Sequence, residues 1–484
     1  MKLLLVNPYF NNGVIIPSLG LGFIATYVKE HSNCEVEVIE PALQHISEED
    51  VLLKSKQSDY VALTCYTESR FQVFDFAKKV KQMNPNCKII VGGAHVNSLD
   101  ELILKYYQCI DIVVSGEGEQ AILDIISNKP MSNIPNITWR NNEAIVKNTS
   151  CIFAKNIDKF KYDYSIVYHQ LSKWKDLEVP LNIQKLNAIP FIASRGCPYR
   201  CSFCASHEIW NKQFRTLNVI ELVDRIKYLV DIYNIGYFRF YDTIFLGSES
   251  KINEFCDLIK QNELKISFRI DIKVGTSRSS LKRLRNVGCD VVGFGVESGS
   301  DKVLKRLNKG ITRVQIENTI SICKELGFWM IGFFMVSLPD ETKEDVNKTL
   351  ELLKYFDEIN VQFFKVHPNT AFYNELKSNG VISDDTWFEP KNDNEFFWCK
   401  ENFTQANFYK KDIDLLLQYT TLKHLINHPH ALINKHGEIK SRLMFPILCT
   451  IYLLLKYKLG RNLLWNLRNI HILKKMYIKL IRGS

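Results

Sequence analysis

The stretch SRGCPYRCSFCAS, residues 194–206, places Cys197, Cys201 and Cys204 in a C-x3-C-x2-C spacing. Thiolates are soft ligands that suit zinc and iron–sulfur clusters. A structural zinc site closes with four ligands, commonly from paired C-x2-C units, and no second pair stands nearby. Cys256 and Cys289 lie in apolar helix-like and strand-like contexts and read as small buried hydrophobes. A redox dithiol made of Cys201 and Cys204 leaves Cys197 without a task. Three thiolates suit a 4Fe–4S cluster with three irons held by protein and a fourth left open, with zinc and dithiol chemistry as the alternatives. Pro198 biases the residue before it away from helix, so the loop is free to wrap around a cubane.

The elements that must position this loop alternate along the chain. From about residue 188, strands are expected at 189–193, 237–241, 267–270, 291–294, 330–336 and 361–366, with helices such as 219–232, 281–287 and 343–355 between them. Six β/α units imply a partial (β/α)6 TIM-type barrel, whose chemistry belongs at the carboxyl ends of the strands. Ahead of it, strands at 2–6, 35–39, 60–64, 88–91 and 111–114 alternate with helices such as 71–83. That alternation implies a Rossmann-like, doubly wound parallel sheet. The glycine turns VGGAH at 91–95 and SGEGE at 115–119 follow strand ends and let backbone come close to a ligand. The fold class is therefore α/β, with four parts. Residues 1–130 form the first sheet domain and 131–185 a hairpin and linker. Residues 186–395 form the partial barrel, and 396–484 a helical C-terminal region with a basic amphipathic tail.

The 484 residues suffice for two or three cores, and 46% hydrophobic with 24% charged residues is ordinarily globular. Thirteen cysteines, scattered apart from the triplet, fit a reducing compartment better than a disulfide scaffold. MKLLLVNPYF reads as a first strand and not as a secretory signal, and the apolar run 444–455 is too short to span a bilayer. The net charge of +9 is local, because residues 435–484 carry +10 and the rest sum to −1. That tail mixes large aliphatics with Lys and Arg. It reads as solvated helices covering the barrel, as an interfacial anchor on anionic lipid, or, less in keeping with its aliphatics, as a nucleic-acid patch.

With Phe203 just before the last cysteine, the triplet resembles the signature of the radical S-adenosylmethionine enzymes. The resemblance implies that the open iron chelates S-adenosylmethionine and that an electron from the cluster yields a 5′-deoxyadenosyl radical. FRFYDTIF at 238–245 resembles the second-strand segment, with Asp242 for the first of two usual acids and Thr243 in place of the second. SFRIDIK at 267–273 resembles the third strand, with Arg269 pointing into the barrel, and GFGVESGS at 293–300 the fourth. The resemblance assigns Phe203, Asp242, Arg269, Glu297 and Ser298 to S-adenosylmethionine: Asp242 to the methionine ammonium, Glu297 to the ribose. Ser298 and Gly299 let backbone approach. In FFMVSLPDET and VHPNTAFYNELKSNGVI, Ser337, Asp340 and Asn369 stand where glycine is common.

Residues 1–128 resemble the cobalamin-binding domain fused to one branch of this family, through NPYF, PSLGLGFIATYV, VALTCYTES, VGGAHVN and SGEGEQAI. That implies Gly92 and Gly93 as backbone contacts to cobalamin and Thr64 as a polar one. The DxHxxG motif that offers a histidine to cobalt is missing, and Asn7, Pro8 and Tyr9 occupy that loop. His95 beside the glycine turn reads as a loop residue.

Together these imply a cytoplasmic, cobalamin-dependent enzyme with three cofactors: a 4Fe–4S cluster, S-adenosylmethionine and cobalamin. It is expected to methylate an unactivated carbon of a small-molecule or lipid substrate, with flavodoxin or ferredoxin as electron donor. Membrane-surface contact on the inner face goes with the lipid reading of the tail, and no nucleic acid is expected. A non-methylating radical cyclase or oxidase is the alternative on the same scaffold. A corrinoid and iron–sulfur sensor without turnover is the alternative from another class.

Overall fold

The structure is a computed structural model that describes residues 1–8, 17–148, 152–166, 186–338 and 340–389. The linker from residue 167 to 185, the C-terminal helical region and the basic tail fall outside the described residues. Packing groups the described chain into two compact units. One holds residues 1–166, 194–221 and 366–389; the other holds 186–193 and 222–365.

The first unit is built on a seven-stranded sheet in the order β2-β1-β3-β4-β5-β6-β7. Its strands are β1 (Lys2–Val6), β2 (Glu35–Ile39), β3 (Tyr60–Thr64), β4 (Lys88–Gly92), β5 (Ile112–Val114), β6 (Ile137–Asn141) and β7 (Ala144–Lys147). The first five are parallel, as β-branched runs separated by helices require. Leu3, Leu5, Ala62, Ile90 and Val114 form one buried face with Leu21 and Val28 of the helix Leu19–His31 and Ile122 and Ile125 of the helix Glu119–Ile126. Each such side chain contributes about 1.5–3 kcal/mol by leaving water. The hairpin β6–β7, which the sequence places with the linker, instead joins this sheet antiparallel to β5. It turns at Asn142 in the left-handed region, φ 54°. The reason is local: three-residue β5 would otherwise be an open edge, and Thr138 and Lys147 both reach Asp100 beside it.

Glu40, following β2, is buried, and its carboxylate accepts from Asn7 Nδ2 at 2.9 Å and the Ser18 amide at 2.6 Å. It thereby ties together both ends of the loop after β1. Burial pushes its carboxyl up to about 7, although both hydrogen bonds pull the other way.

The second unit is a six-stranded parallel sheet with neighbours in chain order: β8 (Asn187–Phe191), β11 (Ile235–Phe240), β12 (Ser267–Ile272), β13 (Cys289–Glu297), β14 (Trp329–Val336) and β15 (Glu358–Phe363). It is the partial barrel expected, curled through six strands. Phe240, Phe245, Phe255 and Phe268 interlock edge to face between strands and the helix Glu249–Gln261, and Phe238 lies tilted against Phe240. Between β8 and β11 the chain enters the first unit and forms an antiparallel pair, β9 (Ser194–Gly196) with β10 (Phe214–Thr216), which sequence periodicity does not announce.

Ser337 and Asp340, after β14, have φ of 63° and 65°, and Asn369 has φ of 60°. These are left-handed positions, where the sequence resemblance leads glycine to be expected. A non-glycine residue there costs roughly 1–2 kcal/mol, least for Asn and Asp. In the same turn Glu341 is 2% exposed; Oε2 accepts the Leu338 amide at 3.2 Å and Oε1 is buried with no hydrogen-bond partner. Burial pushes this carboxyl up to about 7 as well. A folded-state value above the unfolded one means that stability is full below about pH 4.5 and is lost as pH rises toward 7. Glu341→Gln removes that loss at one of the two sites. Urea unfolding is expected to show the variant gaining on the order of 2 kcal/mol over the parent at pH 8 and nothing at pH 4.5. A pH-independent difference would contradict the assignment.

Candidate functional site

The cysteine loop spans residues 197–213 between β9 and β10. Gly196 sits at its root with φ of 90°, and a Cβ there would stand 1.9 Å from the Gln213 carbonyl oxygen, so only glycine closes the ribbon. Cys201 is buried, and Cys197 and Cys204 are half-buried; none is in a disulfide. The Cys204 amide donates to the Cys201 carbonyl at 3.1 Å, a tight turn within the C-x2-C segment. The Ser206 amide donates to Cys204 Sγ at 3.5 Å, as it would to a thiolate holding iron. Among the described residues no three His, Cys, Asp or Glu side chains converge on one point that a single ion would occupy. A cube needs no such convergence, since each thiolate serves its own iron. Three thiols on one short loop, one with an amide aimed at its sulfur, fit a cluster. Phe203, between the second and third cysteines, is half-buried.

Cys256, Cys289 and Cys323 are buried in the second unit, and desolvation raises their thiols, Cys256 to about 11 and Cys323 to about 12. They are packing residues, as read for the first two.

Asp242 lies just beyond β11, 3% exposed, and both carboxylate oxygens accept the Ala193 amide, at 3.1 and 3.2 Å. This fixes the strand-end acid to the residue that precedes β9. Arg269 is half-buried on β12, a strand paired on both sides rather than an edge, directly beside Arg239 of β11. Its Nε is buried with no hydrogen-bond partner. Arg239 reaches Asp271 at 3.4 Å, and its guanidinium lies 4.6 Å from the Tyr241 ring centroid. Little in the sequence marks Arg239 and Asp271 beyond the alternation R-x-D at 269–271.

Glu297 ends β13 with φ of 64°, an uncommon conformation for a side chain of its size, and is 8% exposed. Lys309 Nζ meets its Oε1 at 2.8 Å and directs the carboxylate. No sequence spacing marks Lys309 as its partner. Ser298 and Gly299, expected to admit a ligand, are given packing roles instead. Ser298 is fully buried with Oγ 3.0 Å from Thr349 Oγ1, and the Gly299 amide donates to the same hydroxyl at 2.9 Å. A Cβ on Gly299 would stand 2.2 Å from the Lys348 carbonyl, so what its bareness admits is the helix Lys343–Leu352.

At the carboxyl edge of the first sheet, Thr64 ends β3 and Gly92 ends β4. Gly93 has φ of 103°, and a Cβ there would come within 2.8 Å of the Cys65 backbone and 3.0 Å of Thr64 Oγ1, so the turn itself demands glycine. Gly92 is different. Nothing lies closer to its missing Cβ than the Val114 carbonyl at 3.5 Å, so the protein's own packing leaves room over it. Gly20, in the first turn of the helix after β1, is exposed and has nothing within 4 Å of its missing Cβ among the described residues. Two unfilled glycine faces along a sheet's carboxyl edge fit a bulky ligand such as a corrin. His95, read as a loop residue, is fully buried: Nδ1 is 3.3 Å from Thr67 Oγ1, Nε2 has no partner, and burial first, then Arg70, holds the ring neutral.

Comparison with known proteins agrees with both units. Residues 11–126 match the B12 binding domain, and residues 191–353 match the radical SAM superfamily. An uncharacterised methyltransferase of Pyrococcus horikoshii is 28% identical over 80% of this chain and 85% of its own length. An anaerobic magnesium-protoporphyrin IX monomethyl ester cyclase of Cereibacter sphaeroides is 25% identical over 79% of this chain and 65% of its own. Among solved structures, the cobalamin-dependent S-adenosylmethionine radical enzyme OxsB, with aqua-cobalamin bound, shares the fold. Its TM-score is 0.72 at 17% identity, covering 100% of this chain and 77% of that one. With a three-cysteine loop, a six-stranded parallel partial barrel and a B12-type sheet in one polypeptide, the chain is a radical S-adenosylmethionine enzyme with an N-terminal B12-binding domain.

Proposed function

We propose that this enzyme methylates an unactivated carbon of a small-molecule substrate. The observation that carries the reading is the coupling, in one chain, of a three-thiol loop to a B12-binding sheet whose carboxyl edge is left open at Gly92 and Gly20. When bound, the cluster with S-adenosylmethionine supplies a 5′-deoxyadenosyl radical for hydrogen abstraction, and methylcobalamin supplies the methyl group. Cys197, Cys201 and Cys204 hold the cluster. In this reading Asp242, fixed by the Ala193 amide, receives the methionine ammonium. Arg269 offers its unpartnered Nε to the carboxylate, and Glu297, aimed by Lys309, takes the ribose hydroxyls. Phe203, on the cysteine loop, would contribute an aromatic surface toward the nucleoside. Ser298 would act through its hydrogen bond to Thr349, which holds the backbone after Glu297. Thr64, Gly92 and Gly93 border the corrin. The supply of electrons falls to flavodoxin or ferredoxin. No helix among the described residues is long and apolar enough to cross a membrane, and contact of residues 435–484 with anionic lipid belongs to the same proposal.

Radical cyclisation without methyl transfer is the second reading, favoured by the likeness to the magnesium-protoporphyrin ester cyclase. Anaerobic reconstitution with iron, sulfide, cobalamin, dithionite and labelled S-adenosylmethionine separates the two. Methylation gives 5′-deoxyadenosine together with a product that carries label and one added methylene; cyclisation gives the nucleoside with an unlabelled product. Cys201→Ala is expected to lose the cluster's visible absorption and all 5′-deoxyadenosine, and retention of either would defeat the reading.

Asp242→Asn and Glu297→Gln are expected to keep iron content while weakening S-adenosylmethionine binding about tenfold or more, the scale of one lost charged hydrogen bond. Anaerobic equilibrium dialysis checks this, and unchanged affinity in both variants would remove the two residues from the nucleotide site.

A further inference from the structure

Arg195 and Arg215 stand directly opposite each other in the β9–β10 pair, an arrangement in which like charges repel. Both are driven inward, their side chains each 9% exposed. Arg195 lies between Phe23 and Phe160, at 5.1 and 4.5 Å, and Arg215 between Phe153 and Trp210, at 5.2 and 5.6 Å. The charge is balanced from the turn after β5. Glu117 Oε1 meets Arg195 Nη1 at 2.9 Å and Arg215 Nη1 at 2.8 Å, and Glu119 Oε1 meets Arg195 Nη2 at 2.6 Å. These carboxylates are 6% and 5% exposed. Glu117 Oε2 also accepts the Ala154 amide at 2.7 Å, and Arg215 Nη1 donates to the Ala154 carbonyl at 2.8 Å. Two guanidinium groups and two carboxylates thus form a buried chain of balanced charge, Arg215–Glu117–Arg195–Glu119, in which Arg215 Nε and Nη2 have no hydrogen-bond partner among the described residues.

We infer that Glu117 and Glu119 are positioning residues for the iron–sulfur cluster: from the B12-binding sheet they fix the ribbon that closes the cysteine loop, and they set the charge the cluster experiences. Neither residue touches the cluster. They act through Arg195, two residues before Cys197, and through Arg215, at the loop's other end. Removing one member of such a set leaves an uncompensated buried charge. In Glu117→Gln the excess is one positive charge, which favours the more negative, reduced cluster.

The inference rests on the three cysteines being the cluster's ligands, and the test separates the two. Full-length protein is reconstituted anaerobically with iron and sulfide, and the cluster is titrated by electron paramagnetic resonance. Glu117→Gln and Glu119→Gln are each expected to raise the reduction potential by about 59 mV, a tenfold change in the one-electron equilibrium. In the double variant Glu117→Gln, Arg215→Gln the buried charge returns to zero, and the potential is expected to return to the parental value. A parental protein that binds no iron overturns the ligand assignment itself. Single variants that bind iron fully at the parental potential overturn only this inference. Where a single variant is too unstable to hold a cluster, the double variant decides: recovered cluster with the parental spectrum supports the coupling, and continued loss overturns it.

Discussion

A loop that offers three thiols to one cube must be stiff, because a few tenths of an ångström at its roots become a misplaced sulfur at its tip. Here stiffness comes from compensated charge. Four ionised groups are withdrawn from water, which is affordable only because each finds a counter-charge within 3 Å and aromatic faces fill the space around the guanidinium groups. Gly196 completes the closure by letting two backbones approach where any side chain would collide. The loop therefore belongs physically to the sheet that precedes it in the chain, although in sequence it opens the barrel.

The strand ends of the second unit follow another rule. Their polar groups are held by backbone amides and by neighbouring side chains: Asp242 by Ala193, Glu297 by Lys309, Ser298 by Thr349. Fixing an acid this way removes the entropy of searching for it when a ligand arrives. Where the sequence GFGVESGS looks uniformly functional, the structure divides the work. Glu297 stands at the strand end with its carboxylate directed by a lysine, while Ser298 and Gly299 pack against the helix Lys343–Leu352.

Much of this was legible in the residues alone. Short apolar runs alternating with amphipathic stretches suffice to place eleven parallel strands within a few residues, because that alternation is what β/α units require, even where a strand such as β15 is not fully buried. The cysteine spacing points to a cluster because few other sites want three thiolates and no fourth. What stayed hidden are pairings across long sequence distance. The β9–β10 ribbon is two three-residue pieces without period, and Glu117 meets Arg215 from 98 residues away. In SGEGE the glycines are the visible turn signal, yet the acids Glu117 and Glu119 make the contacts. The hairpin was recognised as a hairpin but not as the sheet's continuation, since nothing local says which edge it will meet.

Ser337 and Asp340, in the turn after β14, and Asn369 adopt a left-handed backbone shape that a residue without a side chain enters most easily. Short polar residues tolerate it, Asn369 with its amide bonded to Ser98 and Glu208. What such a corner requires is thus a torsion angle and not one particular residue. Asn, Asp or Gly can therefore replace one another at these corners at less cost than a β-branched side chain would incur.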